Sequence, residues 1–227
     1  MRESKTLIIV AGGSGLRMKD QVPKQFLLLK GKPILMYSLE IFNKFDPEIN
    51  IIVVLPESQI KHWIKLCAEF KLQINHEVVI GGDTRFYSVK NGLQDIKDDG
   101  LVAIHDGVRP LVSLRTIQNA FETAKSFGNA VPVIEVNESV RELTERGNQI
   151  VDRQKLRLIQ TPQVFQVSEI KKAYDLSYQS SFTDDASVYE MIEEPIYLTE
   201  GNWENIKITR PVDLIIAESI LNASQTE

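Results

Sequence analysis

Largely apolar runs recur along the chain at Leu7–Val10, Ile49–Leu55, Val78–Ile80, Leu101–Ile104 and Ala130–Val136. A strand with one wet face alternates apolar with polar residues, so runs without alternation predict strands buried on both faces. Between the second and third runs, Ile60, Trp63, Ile64, Cys67 and Phe70 recur at helical spacing and predict an amphipathic helix. Further helices are predicted over 33–45, 84–94, 113–127, 167–177, 184–192 and 211–222. Strands alternating with helices of this length predict an α/β fold of Rossmann-like type. Its sheet is mostly parallel, with helices on both faces. In such sheets ligands bind at the carboxyl ends of the strands. The loops at Gly12-Gly13-Ser14-Gly15, Gly81-Gly82 and His105-Asp106-Gly107 each leave a strand end and are predicted to line one crevice.

The stretch 137–152 breaks the pattern. It is polar, with scattered β-branched residues and a turn signal at Gly147-Asn148. This predicts a β-hairpin arm with little apolar area of its own, which needs support from the body or from a partner chain. No repeat, low-complexity tract or long polar linker divides the chain. A single domain over residues 1–227 is expected, with the arm protruding from it.

Composition narrows the class without changing the fold. A chain of 227 residues with 43% hydrophobic and 25% charged side chains is an ordinary soluble globular protein, neither disordered nor collagenous. Its sole cysteine, Cys67, excludes an intrachain disulfide and reads as a structural thiol on a helix. His62, His76 and His105 are too scattered for a zinc set. A net charge of -5 gives no general attraction for nucleic acid or an anionic membrane, so an anionic ligand requires a local cluster of bases. The apolar run ending at Ala11 is too short for a membrane span. It is also too short, and too soon interrupted by glycine, for a signal peptide. Cytoplasmic residence is the default expectation.

Candidate chemistry sits in the loops. Ala11-Gly12-Gly13-Ser14-Gly15 presents backbone N–H groups without Cβ atoms in the way, as an anion nest does. It is not a P-loop, because Leu16-Arg17 replaces the required lysine and hydroxyl residue. Nor is it the dinucleotide fingerprint, because Met18 stands where the third glycine belongs. Arg17 and Lys24 follow in the same connection and suit charge stabilisation at the phosphorus of a nucleoside triphosphate. In the second loop, Asp83 or Thr84 is placed to cap a helix, while Gly82 and Ser88 are placed to meet a base. In the third, Asp106 suits a sugar hydroxyl or a divalent cation beside phosphates, or an ion pair with Arg109. His105 reads as a packing residue rather than a catalytic base. Further on, Thr183-Asp184-Asp185 has the form of a helix cap. Alternation turns Lys207 away from the face of Ile206 and Ile208. Thr209 is placed to cap a helix with Pro211 near its start. Arg153 is a candidate for a second phosphate.

These stretches, in this order, resemble the 2-C-methyl-D-erythritol 4-phosphate cytidylyltransferase family of the non-mevalonate isoprenoid pathway. The resemblance rests on Ala11–Met18, Pro23-Lys24-Gln25, Gly81–Arg85, His105–Pro110, Val151-Asp152-Arg153, Thr161-Pro162-Gln163, Thr183–Ser187 and Asn205–Pro211, which span roughly residues 6–220. It implies a homodimer that depends on magnesium and uses CTP. In that reading Ala11, Gly12, Gly13, Gly15, Gly82, Asp83 and Ser88 hold CTP, with Gly107 beside the nucleotide. Asp106 binds the ribose or lies by the metal. Arg17 and Lys24 match the charge-stabilising residues, and Lys207 the C-terminal phosphate-site lysine. Arg109, Ser139, Arg153 and Thr161 line the sugar-phosphate end, and the arm is exchanged between subunits. Ala11-Gly12-Gly13, where many members have Ala-Ala-Gly, also resembles the sister family that uses ribitol 5-phosphate. The acceptor is therefore one of two polyol phosphates. A nucleotide-binding protein without catalysis is the third reading.

Overall fold

The structure is a computed structural model that describes residues 3–12 and 22–223. Its first half runs β1 (Lys5–Val10), β2 (Leu28–Leu29), β3 (Lys32–Pro33), α1 (Ile34–Phe45), β4 (Asn50–Leu55), α2 (Glu57–Glu69), β5 (Glu77–Ile80), α3 (Arg85–Gln94) and β6 (Leu101–Asp106). The second half runs α4 (Leu114–Phe127), β7 (Asn129–Glu135), β8 (Val140–Thr144), β9 (Gly147–Val151), β10 (Arg157–Ile159), β11 (Gln163–Gln166), α5 (Val167–Tyr174), α6 (Asp185–Tyr189), β12 (Leu198–Glu200) and α7 (Pro211–Ala223).

Strands β5, β4, β1 and β6 lie side by side in that order and are parallel throughout, as the apolar runs predict. Beyond β6 the sheet becomes mixed. β11 is antiparallel to both β6 and β7, β10 is antiparallel to β7, and β12 is parallel to β7. These three added strands are short, and β11 begins and ends in glutamine, so none leaves an apolar run in the sequence.

Both faces of the parallel core are covered. Leu7, Ile9, Val53 and Ala103 pack with α1, α2 and α4 on one side, while Ile8, Val54, Val102 and Ile104 pack with α3, α5 and α6 on the other. Successive residues of one strand thus enter opposite cores, which is why the runs do not alternate. Cys67 is half-buried against the first core, and burial pushes its thiol up to about 11, in keeping with a structural thiol.

Helix ends follow local chemistry. Thr84 caps α3 by accepting from the Tyr87 amide, and Asp184 caps α6 in a reciprocal box with Ser187. The expectation for α7 needs correction. Thr209 is not the cap acceptor: its amide and hydroxyl, and the Arg210 amide, all donate to the Asp213 carboxylate from outside the helix. Asp213 stands in the first turn after Pro211, where a carboxylate satisfies otherwise unpaired amides.

The arm is a separate two-stranded sheet, β8 against β9. Its turn falls on Glu145-Arg146 rather than on Gly147-Asn148. Gly147 opens β9 opposite Thr144 with φ +127°, a conformation that favours glycine. The register places Leu143 and Ile150 on one face, 85% and 79% exposed. Among the described residues, no helix is long and apolar enough to cross a membrane.

Candidate active site

The three glycine-bearing loops do meet. The Ala11 amide donates to Val54 O, the Gly81 amide to Leu55 O and the Gly107 amide to Val10 O. The chain leaving each of β1, β5 and β6 is therefore stitched to the end of its neighbour. The ends of β1 and β6 pack so closely that a Cβ on Gly107 would lie 3.0 Å from the Ala11 Cβ and 3.1 Å from Leu35. Gly107 thus serves the packing beneath the site. At Gly82 a Cβ would approach the Tyr87 Cβ to 2.4 Å, so the second loop requires glycine to fold over the start of α3. The Ser88 hydroxyl fastens that loop, accepting from the Gly82 amide at 3.2 Å and donating to Thr84 O at 2.9 Å. Around these loops lies a cavity of about 210 Å³, walled by Ala11, Gly12, Lys24, Gly82, Asp83 and Ser88. Gly13, Gly15 and Arg17 lie outside the described residues.

Asp106, at the carboxyl end of β6, closes one side of this cavity. Lys207 Nζ lies 3.0 Å and Arg109 Nε 3.2 Å from its Oδ2, and Arg85 Nε lies 3.7 Å from its Oδ1. Burial alone would raise the carboxyl group. Arg85, then Lys207 and Arg109, overcome that and hold it well below the usual carboxylate range. Asp106 is therefore a fixed anion at any working pH. Lys207 reaches it because Ile206 and Ile208 turn into a small core with Leu29 and Ile34, as alternation predicts. The Ile208 amide is pinned to Val108 O, and Arg109 Nη1 donates to Asn205 O at 2.7 Å.

His105 is fully buried, and desolvation drives its imidazole down to about 4. It is neutral, with Nε2 donating to Arg109 O and Nδ1 accepting from the Thr161 hydroxyl. The same hydroxyl accepts from the Asp106 amide at 3.1 Å. His105 and Thr161 thus orient the loop that carries Asp106 and Arg109. Thr161 meets the site as a wall whose hydroxyl is committed within the fold.

A second cavity of about 240 Å³ opens on the far side of Asp106, walled by Arg109, Gln160, Thr161, Gln163, Thr183 and Asp184. Arg85, Asp106 and Lys207 belong to the walls of both cavities. The pair forms one groove with a charged partition. Ser139 and Arg153 stand apart from it within the single chain. Ser139 is exposed just before β8, and Arg153 donates to Asn137 O at the root of the arm.

Sequence reasoning missed two of the groove's organisers. Arg85 makes a two-pronged pair with the fully buried Asp185, at 2.7 and 2.6 Å. Gln163 bridges Asp184 and the Ala186 amide, at 2.8 Å each. An arginine directly after a predicted cap is a visible signal, but its partner is a hundred residues away.

Among the described residues no three His, Cys, Asp or Glu side chains cluster as a metal site. Magnesium is commonly held by one or two carboxylates together with substrate phosphates. Asp106 at the partition fits an ion that arrives on a polyphosphate, and does not by itself make a resident site.

Bare backbone for one ligand, fixed positive charge for a second anion and a shared partition are the apparatus of a nucleotidyltransferase, here on a Rossmann-like sheet. Comparison with known proteins narrows that class. The profile of the IspD family, 2-C-methyl-D-erythritol 4-phosphate cytidylyltransferase, matches residues 6–223, and the chain belongs to this family. It is 51% identical over 217 residues to the enzyme of that name from Bacteroides fragilis, covering 96% of this chain and 99% of that protein. The Bacteroides thetaiotaomicron enzyme is 49% identical with the same coverage. The solved structure of the Francisella tularensis enzyme superposes with a TM-score of 0.77 at 32% identity, covering 95% of this chain and 99% of that one. The 4-diphosphocytidyl-2C-methyl-D-erythritol synthase of Anaerococcus prevotii superposes with a TM-score of 0.84 at 27% identity, covering 97% and 96%.

Proposed function

We infer that the protein transfers the cytidylyl group of CTP to 2-C-methyl-D-erythritol 4-phosphate, giving 4-diphosphocytidyl-2-C-methyl-D-erythritol and pyrophosphate. The partition shared by Arg85, Asp106 and Lys207 supports this reading. Of the two recesses that share this charged wall, one is lined by the glycine loops and the other by Arg109 and Thr161. CTP takes the glycine side, with Gly12, Gly82, Asp83 and Ser88 around base and ribose. The acceptor takes the side of Arg109 and Thr161.

An acceptor phosphate oxygen attacks the α-phosphorus in line. The new P–O bond forms as the bond to the β-phosphate oxygen breaks, and pyrophosphate leaves with that electron pair. The second pKa of a phosphate monoester is about 6, so the nucleophile is already ionised near neutrality. No strong base is required, and His105, neutral and enclosed, does not supply one. Lys24 and Lys207, with Arg17 from the first loop, stabilise the charge that builds on the transferred group. Asp106 would hold a magnesium ion brought in with CTP, which would supply further charge neutralisation there.

Assembly belongs to the same proposal. Leu143 and Ile150 stand exposed on one face of the arm, beside Arg141 and Asn148, and a second copy of this chain would cover them and bring Ser139 and Arg153 to the partner's groove. Sedimentation should give a dimer, and the pair Leu143→Glu and Ile150→Glu should shift it toward monomer and raise the acceptor KM. A wild-type monomer at working concentration would remove the shared-site detail. The same reading keeps the enzyme in the cytoplasm with its soluble substrates.

Pyrophosphate release with CTP and either methylerythritol phosphate or ribitol 5-phosphate tests the function. Faster turnover with the former is expected. Preference for ribitol phosphate overturns the acceptor, and CTP binding without release under either acceptor overturns catalysis.

A further inference from the structure

We propose that Arg85 is a positioning residue that sets the nucleotide half of the groove in register with the acceptor half, acting through Asp106 and anchored by Asp185. The inference rests on the cytidylyl-transfer reading above.

Arg85 is the first residue of α3, directly after the glycine loop that walls the first cavity. Two prongs of its guanidinium go to the two oxygens of Asp185, and its Nε faces Asp106 Oδ1. Asp185 opens α6, whose preceding residues Thr183 and Asp184 wall the second cavity. Behind it the Tyr174 hydroxyl donates to Asp185 Oδ1 at 2.6 Å. A chain of contacts thus runs Tyr174, Asp185, Arg85, Asp106 and ties α5 and α6 to the end of β6.

The other cations grip Asp106 from the opposite side, at Oδ2. Lys207 is 42% exposed on its side chain and belongs to both cavity walls, so a bound polyanion competes with Asp106 for it. Arg85 is different, because its plane is locked by a buried carboxylate that neither cavity touches. It keeps Asp106 in place while the groove fills. A planar fork can hold two carboxylates in one geometry, and an ammonium is a single point charge that cannot. Displacement of the reacting atoms by about 1 Å costs about 100-fold in rate, so the register that Arg85 sets appears in turnover rather than in binding.

The test uses the full chain and three readouts: steady-state kinetics, calorimetric CTP affinity in metal-free buffer, and thermal midpoint. Arg85→Lys should lower kcat about 30-fold while both KM values and the CTP affinity stay within about threefold of wild type. Asp185→Asn, outside both cavities, should lower kcat about tenfold with the same KM values. The double variant should be no worse than Arg85→Lys, because both break one chain of contacts. Where Asp185→Asn does not fold, Tyr174→Phe replaces it, with a kcat loss of about threefold expected. Unchanged kcat per folded molecule in Arg85→Lys, with only the thermal midpoint lowered, reduces Arg85 to scaffolding and overturns the proposal. A raised KM for CTP at unchanged kcat makes Arg85 a nucleotide ligand and also overturns it. A wild-type enzyme inert toward CTP and methylerythritol phosphate would instead remove the functional reading beneath it.

Discussion

Asp106→Asn should lower kcat about a thousandfold, comparable to the loss of a preorganised electrostatic group in other enzymes, while leaving the chain folded. The side chain is 10% exposed and stands among Arg85, Arg109 and Lys207. Its charge keeps those cations gathered at one point of the groove. An amide of the same shape accepts from one cation and turns its NH₂ toward the others. Arg109 then leans on Asn205 O and Arg85 on Asp185, while Lys207 rehydrates. Each keeps a partner, so stability should fall by only about 1–3 kcal/mol, which for a chain of this size lowers the thermal midpoint by about 2–4 °C per kcal/mol. Kinetics and a thermal melt on one preparation check the separation. Turnover within tenfold of wild type would remove Asp106 from the chemistry.

Lys24→Ala should lower kcat by about 100- to 1000-fold, the range found when one charge-stabilising donor is lost. Its neighbours hold the turn that carries it. Gln25 is fully buried and donates to Ala11 O at 2.6 Å, and Phe26 stacks on Trp63 with ring centres 6.0 Å apart. The Lys24–Phe26 turn is thus anchored on its far side, and the lysine projects from it into the wall of the first cavity. Folding and CTP affinity should change little, because the lost interaction is strongest in the transition state. Arg17→Ala should behave alike if both cations meet the same phosphate. Near-wild-type turnover in Lys24→Ala would falsify the charge-stabilising role.

The parallel half of the fold was legible because each strand there reports its own environment. Leu7 to Val10 is apolar at every position since it has a core on each face. Caps were legible for the same local reason: Thr84 and Asp184 answer amides within three residues. The Asp106–Arg109 pair, three residues apart, was open to reading as a contact. The insertion of β11 between β6 and β7 was not, because a four-residue strand that begins and ends in glutamine carries no periodic signal. Nor were the partners of Arg85, which the glycine-loop motif contains without saying what it touches.

By itself, then, the sequence determined the alternation of strands and helices, the three loops at strand ends, the residue types for a phosphate-transfer site and the resemblance to one family of cytidylyltransferases. Only the tertiary structure decided that Arg85 and Lys207 share Asp106, that His105 and Thr161 work behind it, and that Ser139 and Arg153 stand apart from the groove within one chain. Burial and capping depend on near neighbours and leave a periodic trace in the chain. Pairing across a groove depends on strand order and register, which bring together residues a hundred positions apart and leave no mark on the spacing of either one.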